Sequence, residues 1–251
     1  MSQSRRASGG ETEIPDSFLN ATTGSLRLVN TVNWLAHALL SEADAETRLG
    51  NLLADLVKGP ARAGMTANFL LGVRRHQAID AFTDAHPLVR RSRLRVAGAY
   101  PHTRAIIIDI FYDHLLVRNW SRHCDQPLEE FIASVYADLR EHRDRFPEAM
   151  RNAVDGMLRE DWLGSYRSVA GVTAALERVS RRLSARRRKP FALQNSVGTL
   201  LENFADLDKD FAEFFPLLRA HVEEAAYPQD RVERRVPLGA AHVAARQSPK
   251  R

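Results

Sequence analysis

Cysteine is almost missing: Cys124 is the single one in 251 residues. One thiol cannot close an intrachain disulfide. That excludes a disulfide scaffold and a thiol-only zinc site, and it points to a reducing compartment. Long apolar runs are missing as well. The longest, Ala105-Ile106-Ile107-Ile108, is cut by Asp109, far short of the ~20 residues a membrane helix requires. Behind Arg5 and Arg6 there is no apolar stretch of the secretory type, so no membrane association and a cytoplasmic location are expected. Glycine motifs are lacking too. There is no Gly-x-Ser-x-Gly elbow, no Gly-x4-Gly-Lys phosphate loop and no Gly-x-Gly-x-x-Gly turn, which argues against the chemistries those motifs serve. Sustained period-two alternation is absent, and with it the signature of half-buried strands.

The sequence is instead rich in apolar residues at three- and four-residue steps, over long runs without Gly or Pro. This pattern predicts an all-α fold, a single helical bundle domain over residues 28–226. Residues 1–27, poor in large apolar side chains, read as a flexible leader, and residues 227–251, with three prolines, as a basic mobile tail. Helices are expected over Leu28–Leu40, Glu46–Val57, Thr66–Asp84, Leu88–Gly98, Thr103–Arg122, Leu128–Arg145, Glu148–Arg159, Val172–Ser184 and Leu193–Glu224. The last should bend near Pro216, and Thr103–Arg122 should be the central core helix. Trp34, Trp120 and Trp162 read as core or interface residues.

Several apolar helix faces carry His and Asp where a bundle should be greasy. His37 sits in Asn33-Trp34-Leu35-Ala36-His37, and Asp55 lies beside Leu52 and Leu56. His76, Asp80 and Asp84 follow one another at four-residue steps, as do Asp109 and Asp113, with His114 adjacent; such residues share a helical face. A buried carboxylate is costly unless it is paired or binds a metal. One reading is a set of helix ties, with His76–Asp80 as a local pair and Asp109 joined to an arginine such as Arg75. The other is a divalent-metal site drawn from four helices, since bundle cores hold such sites on facing helices.

The motifs Asn33-Trp34-Leu35-Ala36-His37, Gly50-Asn51-Leu52-Leu53-Ala54-Asp55-Leu56-Val57-Lys58-Gly59, Gly72-Val73-Arg74-Arg75-His76-Gln77-Ala78-Ile79-Asp80-Ala81-Phe82-Thr83-Asp84 and Asp113-His114-Leu115-Leu116-x-x-x-Trp120, in this order, resemble the acyl carrier protein phosphodiesterase family. The helix around Ala205-Asp206-Leu207-Asp208 also fits, so the resemblance spans roughly residues 31–223. It implies an atypical branch of the HD-type metal phosphohydrolases, all-helical and manganese-dependent, with magnesium or another divalent ion as the alternative. The chain has no adjacent His-Asp pair; its adjacent pair is reversed, Asp113-His114. By position in the motifs, the resemblance implies His37, Asp55, His76 and Asp113 as metal ligands. Asp84 and Asp109 are second-rank ligands or supports. Asp80, Arg75 and His114 are expected in catalysis, with Arg75 as a phosphate clamp and His114 as the acid that protonates the leaving serine oxygen. The implied reaction removes 4′-phosphopantetheine from the serine of holo acyl carrier protein.

An acidic carrier calls for a basic docking face. Two acid-free stretches offer one. Pro87–Ile108 holds Arg90, Arg91, Arg93, Arg95 and Arg104; Arg178–Lys189 ends in Arg186, Arg187, Arg188 and Lys189. The overall charge of +5 says less, because residues 228–251 alone contribute +4 (six basic, two acidic). Two rival functions are an HD-type phosphohydrolase acting on a nucleotide or other small phosphoester, and a helical nucleic-acid-binding module without catalysis. Nucleic acid is disfavoured, because a pure binder has no reason to bury Asp55, Asp109 and Asp113, and aromatic residues do not interleave with the basic runs. The sequence implies no particular oligomeric state.

Overall fold

Local chemistry sets the helix boundaries in the computed structural model, which describes residues 33–226 apart from Lys58. The expected leader, the basic tail and the first residues of the Leu28–Leu40 helix lie outside the described residues. Helix α1 (Trp34–Leu39) leads to α2 (Ala45–Leu53), which starts where Asp44 accepts hydrogen bonds from the backbone N–H of Thr47 at 2.7 Å and from its hydroxyl at 2.8 Å. Thr66 opens α3 (Ala67–Ala85) by accepting from the Phe69 N–H at 3.1 Å. Side-chain oxygens at N-caps satisfy amides that a helix start leaves unpaired. Pro87 begins α4 (Pro87–Arg95), and Pro127 and Pro147 stand immediately before α6 (Leu128–His142) and α7 (Glu148–Arg159), positions where a missing N–H costs nothing. Ser168 caps α9 (Val169–Arg187).

All regular elements among the described residues are helical, as the periodicity predicts. Several helix ends differ from the expected ranges by a few residues, and two departures are larger. A short helix, α8 (Trp162–Ser165), follows Asp161, whose φ of +46° turns the chain and whose carboxylate accepts from the Gly164 N–H at 3.1 Å. The expected Leu193–Glu224 stretch divides into a 3₁₀ turn, α10 (Val197–Glu202) and α11 (Phe204–Ala226). The break falls at Asn203, whose side chain donates to the Thr199 carbonyl at 2.8 Å, while α11 runs on through Pro216.

Helix α5 (Arg104–Arg118) is the central strut: Ile106 through Leu116 are buried without interruption. A helix buried on every face must lie inside the bundle, and α1, α4, α9 and α11 all pack against it. The same burial places Asp109, Asp113 and His114 in the core, where each needs a partner. The α2–α3 pair packs closest. A Cβ on Gly50 would lie 2.0 Å from the Phe69 carbonyl oxygen, and one on Gly72 would lie 2.0 Å from that of Thr47. Only glycine lets two helix backbones approach this far.

Ion pairs fasten α4 to its neighbours. Asp210 of α11, buried, accepts from Arg91 (Nε at 2.8 Å), from the Ser92 hydroxyl at 2.8 Å and from Arg95 at 3.4 Å. Arg95 also meets Asp206 at 3.2 Å, and Arg93 meets Asp84 at 2.8 Å and Asp109 at 3.4 Å. Three of the arginines expected to dock an acidic partner, Arg91, Arg93 and Arg95, are therefore each paired with a carboxylate of the domain. Arg90 is exposed, as are Arg186, Arg187, Arg188 and Lys189 at the end of α9. Among the described residues, no helix is long and apolar enough to cross a membrane.

Candidate metal centre

The closeness of α2 and α3 builds the site. His76 on α3 reaches back across the glycine contact, and its Nδ1 donates to the backbone carbonyl of Asn51 on α2 at 2.9 Å. The Asn51 side chain points the other way, to α1. Its Oδ1 accepts from His37 Nδ1 at 2.8 Å, and its Nδ2 donates to the His37 carbonyl at 2.8 Å and to the Ser41 hydroxyl at 2.9 Å. The two donor contacts fix which way the amide faces, so Oδ1 must accept and His37 Nδ1 must carry the proton. One buried residue thus sets the tautomer of both imidazoles, leaving each Nε2 as a lone pair.

Those lone pairs converge. The two rings stack with centroids 4.1 Å apart, and each Nε2 lies 3.2 Å from a different oxygen of Asp80, one helical turn beyond His76. Both Nε2 atoms are buried and make no well-directed hydrogen bond. Asp55, in the 3₁₀ turn after α2, brings an oxygen to 3.8 Å from His76 Nε2. Two imidazole lone pairs facing a carboxylate repel one another unless a cation lies between them. His37, His76 and Asp80 each offer a ligand atom, all within 4.8 Å of one another, a set compatible with a divalent metal.

Without a metal the cation is a proton, and the electrostatics reflect this. Burial lowers the pKa of His37, and the neighbouring His76 lowers it further. At His76 burial acts in the same direction, but Asp80 and Asp55 outweigh it and the pKa rises. Burial would raise Asp80, yet the two imidazoles hold its carboxyl well below the usual carboxylate range.

The chain matches the protein family described as acyl carrier protein phosphodiesterase over residues 32–218. It is 30% identical to the acyl carrier protein phosphodiesterase of Photorhabdus laumondii over 193 residues, covering 76% of this chain and 96% of that one. The protein of the same name from Pectobacterium atrosepticum is 28% identical over 186 residues (74% and 94% of the two chains), and that from Escherichia coli O157:H7 is 29% identical over 196 (78% and 100%). The chain belongs to the acyl carrier protein phosphodiesterase family. No solved structure matches it.

Against that family's motifs, the structure brings together His37, His76 and Asp80, with Asp55 beside them, and gives the other candidates different partners. Asp113, expected as a ligand, has both oxygens occupied at the start of α1, accepting from the Leu35 and Ala36 N–H groups at 3.0 Å each. Its complete burial pushes its pKa well up, against the pull of these two amides. His114, expected as the acid, has its Nδ1 donating to the Tyr166 carbonyl at 2.7 Å, and burial lowers its pKa. Arg75, expected on phosphate, is paired with Glu42 and reaches the Leu40 carbonyl at 3.4 Å. Asp84 and Asp109 share Arg93, and burial lifts Asp109 to about 7 even beside that guanidinium. Asn51 is not among the site residues expected from the sequence: it is an amide in an otherwise apolar Gly50-Asn51-Leu52-Leu53 run, and nothing local distinguishes it from a helix filler.

Proposed function

We propose that this protein hydrolyses the phosphodiester linking 4′-phosphopantetheine to the serine of holo acyl carrier protein, giving the apo carrier. The observation that carries the reading is the pair of buried Nε2 lone pairs on His37 and His76 converging on Asp80, in a chain of this family. His37, His76 and Asp80 would hold a divalent ion, manganese first, and Asp55 is positioned beside His76 to complete the set. Once bound, the ion supplies positive charge for the phosphoryl oxygens and Lewis acidity that makes water a better nucleophile.

The chain's own residues prepare that chemistry. Asn51 holds protons on both Nδ1 atoms, so that each Nε2 can only accept. Asp113 anchors the first turn of α1, and with it the position of His37. Asp80 is a quarter exposed while the imidazoles behind it are buried, so a phosphodiester reaches the site from the Asp80 side. Attack of water on phosphorus breaks the bond to the serine oxygen, which takes up a proton as it leaves. The acidic carrier is proposed to meet Arg186, Arg187, Arg188 and Lys189, whose exposed charges remain available where those of Arg91, Arg93 and Arg95 are not.

The test is mass spectrometry of holo carrier protein after incubation with the protein and manganese. Loss of the phosphopantetheine arm is expected from the wild type, with at least a hundredfold slower loss from Asp80→Asn. An intact holo carrier, with hydrolysis of a generic phosphodiester, would favour a small phosphoester as substrate instead.

A further inference from the structure

Beside the metal centre lies a cavity of about 120 Å³ whose walls include Trp34, Trp162, Tyr166, Val179, Arg178 and Arg182. Its lining is of two kinds, aromatic and cationic. Trp34 and Trp162 meet edge to face with centroids 5.9 Å apart, and Tyr166 and Val179 are buried around them. This part of the lining is apolar. Arg178 belongs to its wall: the guanidinium lies 4.5 Å from the centre of the Trp162 ring and 3.8 Å from Glu160. Such stacking holds an arginine flat against an aromatic face.

Arg182, one turn further along α9, is exposed, and it faces Asp55. Asp55 in turn lies 3.8 Å from His76 Nε2. Two lining residues connect the cavity to the candidate metal centre: Trp34 precedes His37 by one turn of α1, and Arg182 interacts electrostatically with Asp55. A ligand that matches this lining has an anionic group towards Arg182 and a short, branched apolar segment directly attached to it. The volume corresponds to about four water molecules, suited to a compact branched group and too small for a long flexible chain in full.

We propose that this cavity is the subsite for the 4′-phosphopantetheine arm, with Arg182 on its phosphate and the dimethyl-bearing segment next to the phosphate between Trp34, Trp162 and Val179. The assignment rests on the hydrolase reading above and extends it. A guanidinium offers paired N–H donors to phosphate oxygens, and the tryptophans exclude water from the attached carbon chain.

The experiment is calorimetric titration of the full chain, manganese present throughout, with 4′-phosphopantetheine, pantetheine and inorganic phosphate. The first should bind at least tenfold more tightly than either of the others. Arg182→Gln should weaken 4′-phosphopantetheine by about 10- to 100-fold, the worth of a charge-assisted hydrogen bond, and leave pantetheine unchanged. Trp162→Ala should weaken both arm-containing ligands and spare phosphate. Equal affinity for inorganic phosphate and 4′-phosphopantetheine, or wild-type affinity in Arg182→Gln, would overturn the subsite. Holo carrier cleavage, followed with the same preparation, separates the two ideas. Cleavage without selective arm binding removes the subsite and keeps the hydrolase; selective arm binding with an intact holo carrier does the reverse.

Discussion

Asn51→Ala gives the most direct test of how the proposed metal centre is built. The substitution removes three hydrogen bonds, those to His37 Nδ1 (2.8 Å), the His37 carbonyl (2.8 Å) and the Ser41 hydroxyl (2.9 Å). Each is worth about 1 kcal/mol net, and a buried group left unpaired costs about 1–3 kcal/mol. The expected loss is therefore about 3–5 kcal/mol, a large share of the ~5–15 kcal/mol that holds a domain together. The effect on metal is separate. With Oδ1 gone, His37 is free to move its proton to Nε2 and to turn, whereas His76 keeps its acceptor because that acceptor is the backbone carbonyl of residue 51. One imidazole loses its alignment and the other does not, so manganese affinity should fall by about 10- to 100-fold without vanishing. Asn51→Asp is the companion. It preserves an acceptor for His37 Nδ1 but loses the donor to the His37 carbonyl, so it should lose stability while keeping most of the affinity. Urea unfolding in EDTA measures the first quantity and calorimetric titration with manganese the second. Unchanged affinity in Asn51→Ala, measured where the variant is folded, would refute the claim that this amide orients His37 for a metal.

Asp113→Ala should behave as a loss of anchoring. It leaves the Leu35 and Ala36 amides without their acceptor, at about 2–5 kcal/mol in EDTA unfolding, yet it should cost far less metal affinity than Asp80→Asn. A loss of affinity equal to that of Asp80→Asn with stability intact would return Asp113 to the ligand set. Asp109 gives a pH signature. Its folded pKa of about 7 exceeds the ordinary 3.8, so between these values the folded state holds a proton that the unfolded state has released. Stability then falls as pH rises from about 4 to 7, by on the order of 4 kcal/mol. Asp109→Asn should flatten that slope in unfolding midpoints measured at pH 5 and pH 7.5; an unchanged slope would place the titration elsewhere.

What could and could not be read from the sequence divides along chain separation. His76 and Asp80 sit at i and i+4, so their shared face follows from helix geometry alone, and a histidine in the apolar run before Ala38 marks His37. The ranking of the carboxylates did not follow. Asp80 and Asp113 each lie on a helix four residues from another polar group, and locally the two are equivalent. They differ only in what the fold brings to them: two imidazoles to Asp80, the unpaired amides of α1 to Asp113. The arginines show the same limit. Pro87–Ile108 contains no acid, so its charges read as an open basic face, but the Asp206 and Asp210 that pair with Arg91 and Arg95 come from α11, more than a hundred residues later. A charge run is a surface only if no distant element answers it. At the end of α9, Arg186, Arg187, Arg188 and Lys189 stay exposed, and Arg178, Arg182 and Arg186 follow at four-residue steps on one face of that helix. That line starts against Trp162, passes Asp55 and ends at the solvated terminus. On the proposed reading, the exposed end of α9 is continuous with a line of arginines that passes Asp55, so docking the carrier on α9 and presenting its phosphodiester to His37, His76 and Asp80 would require no second surface.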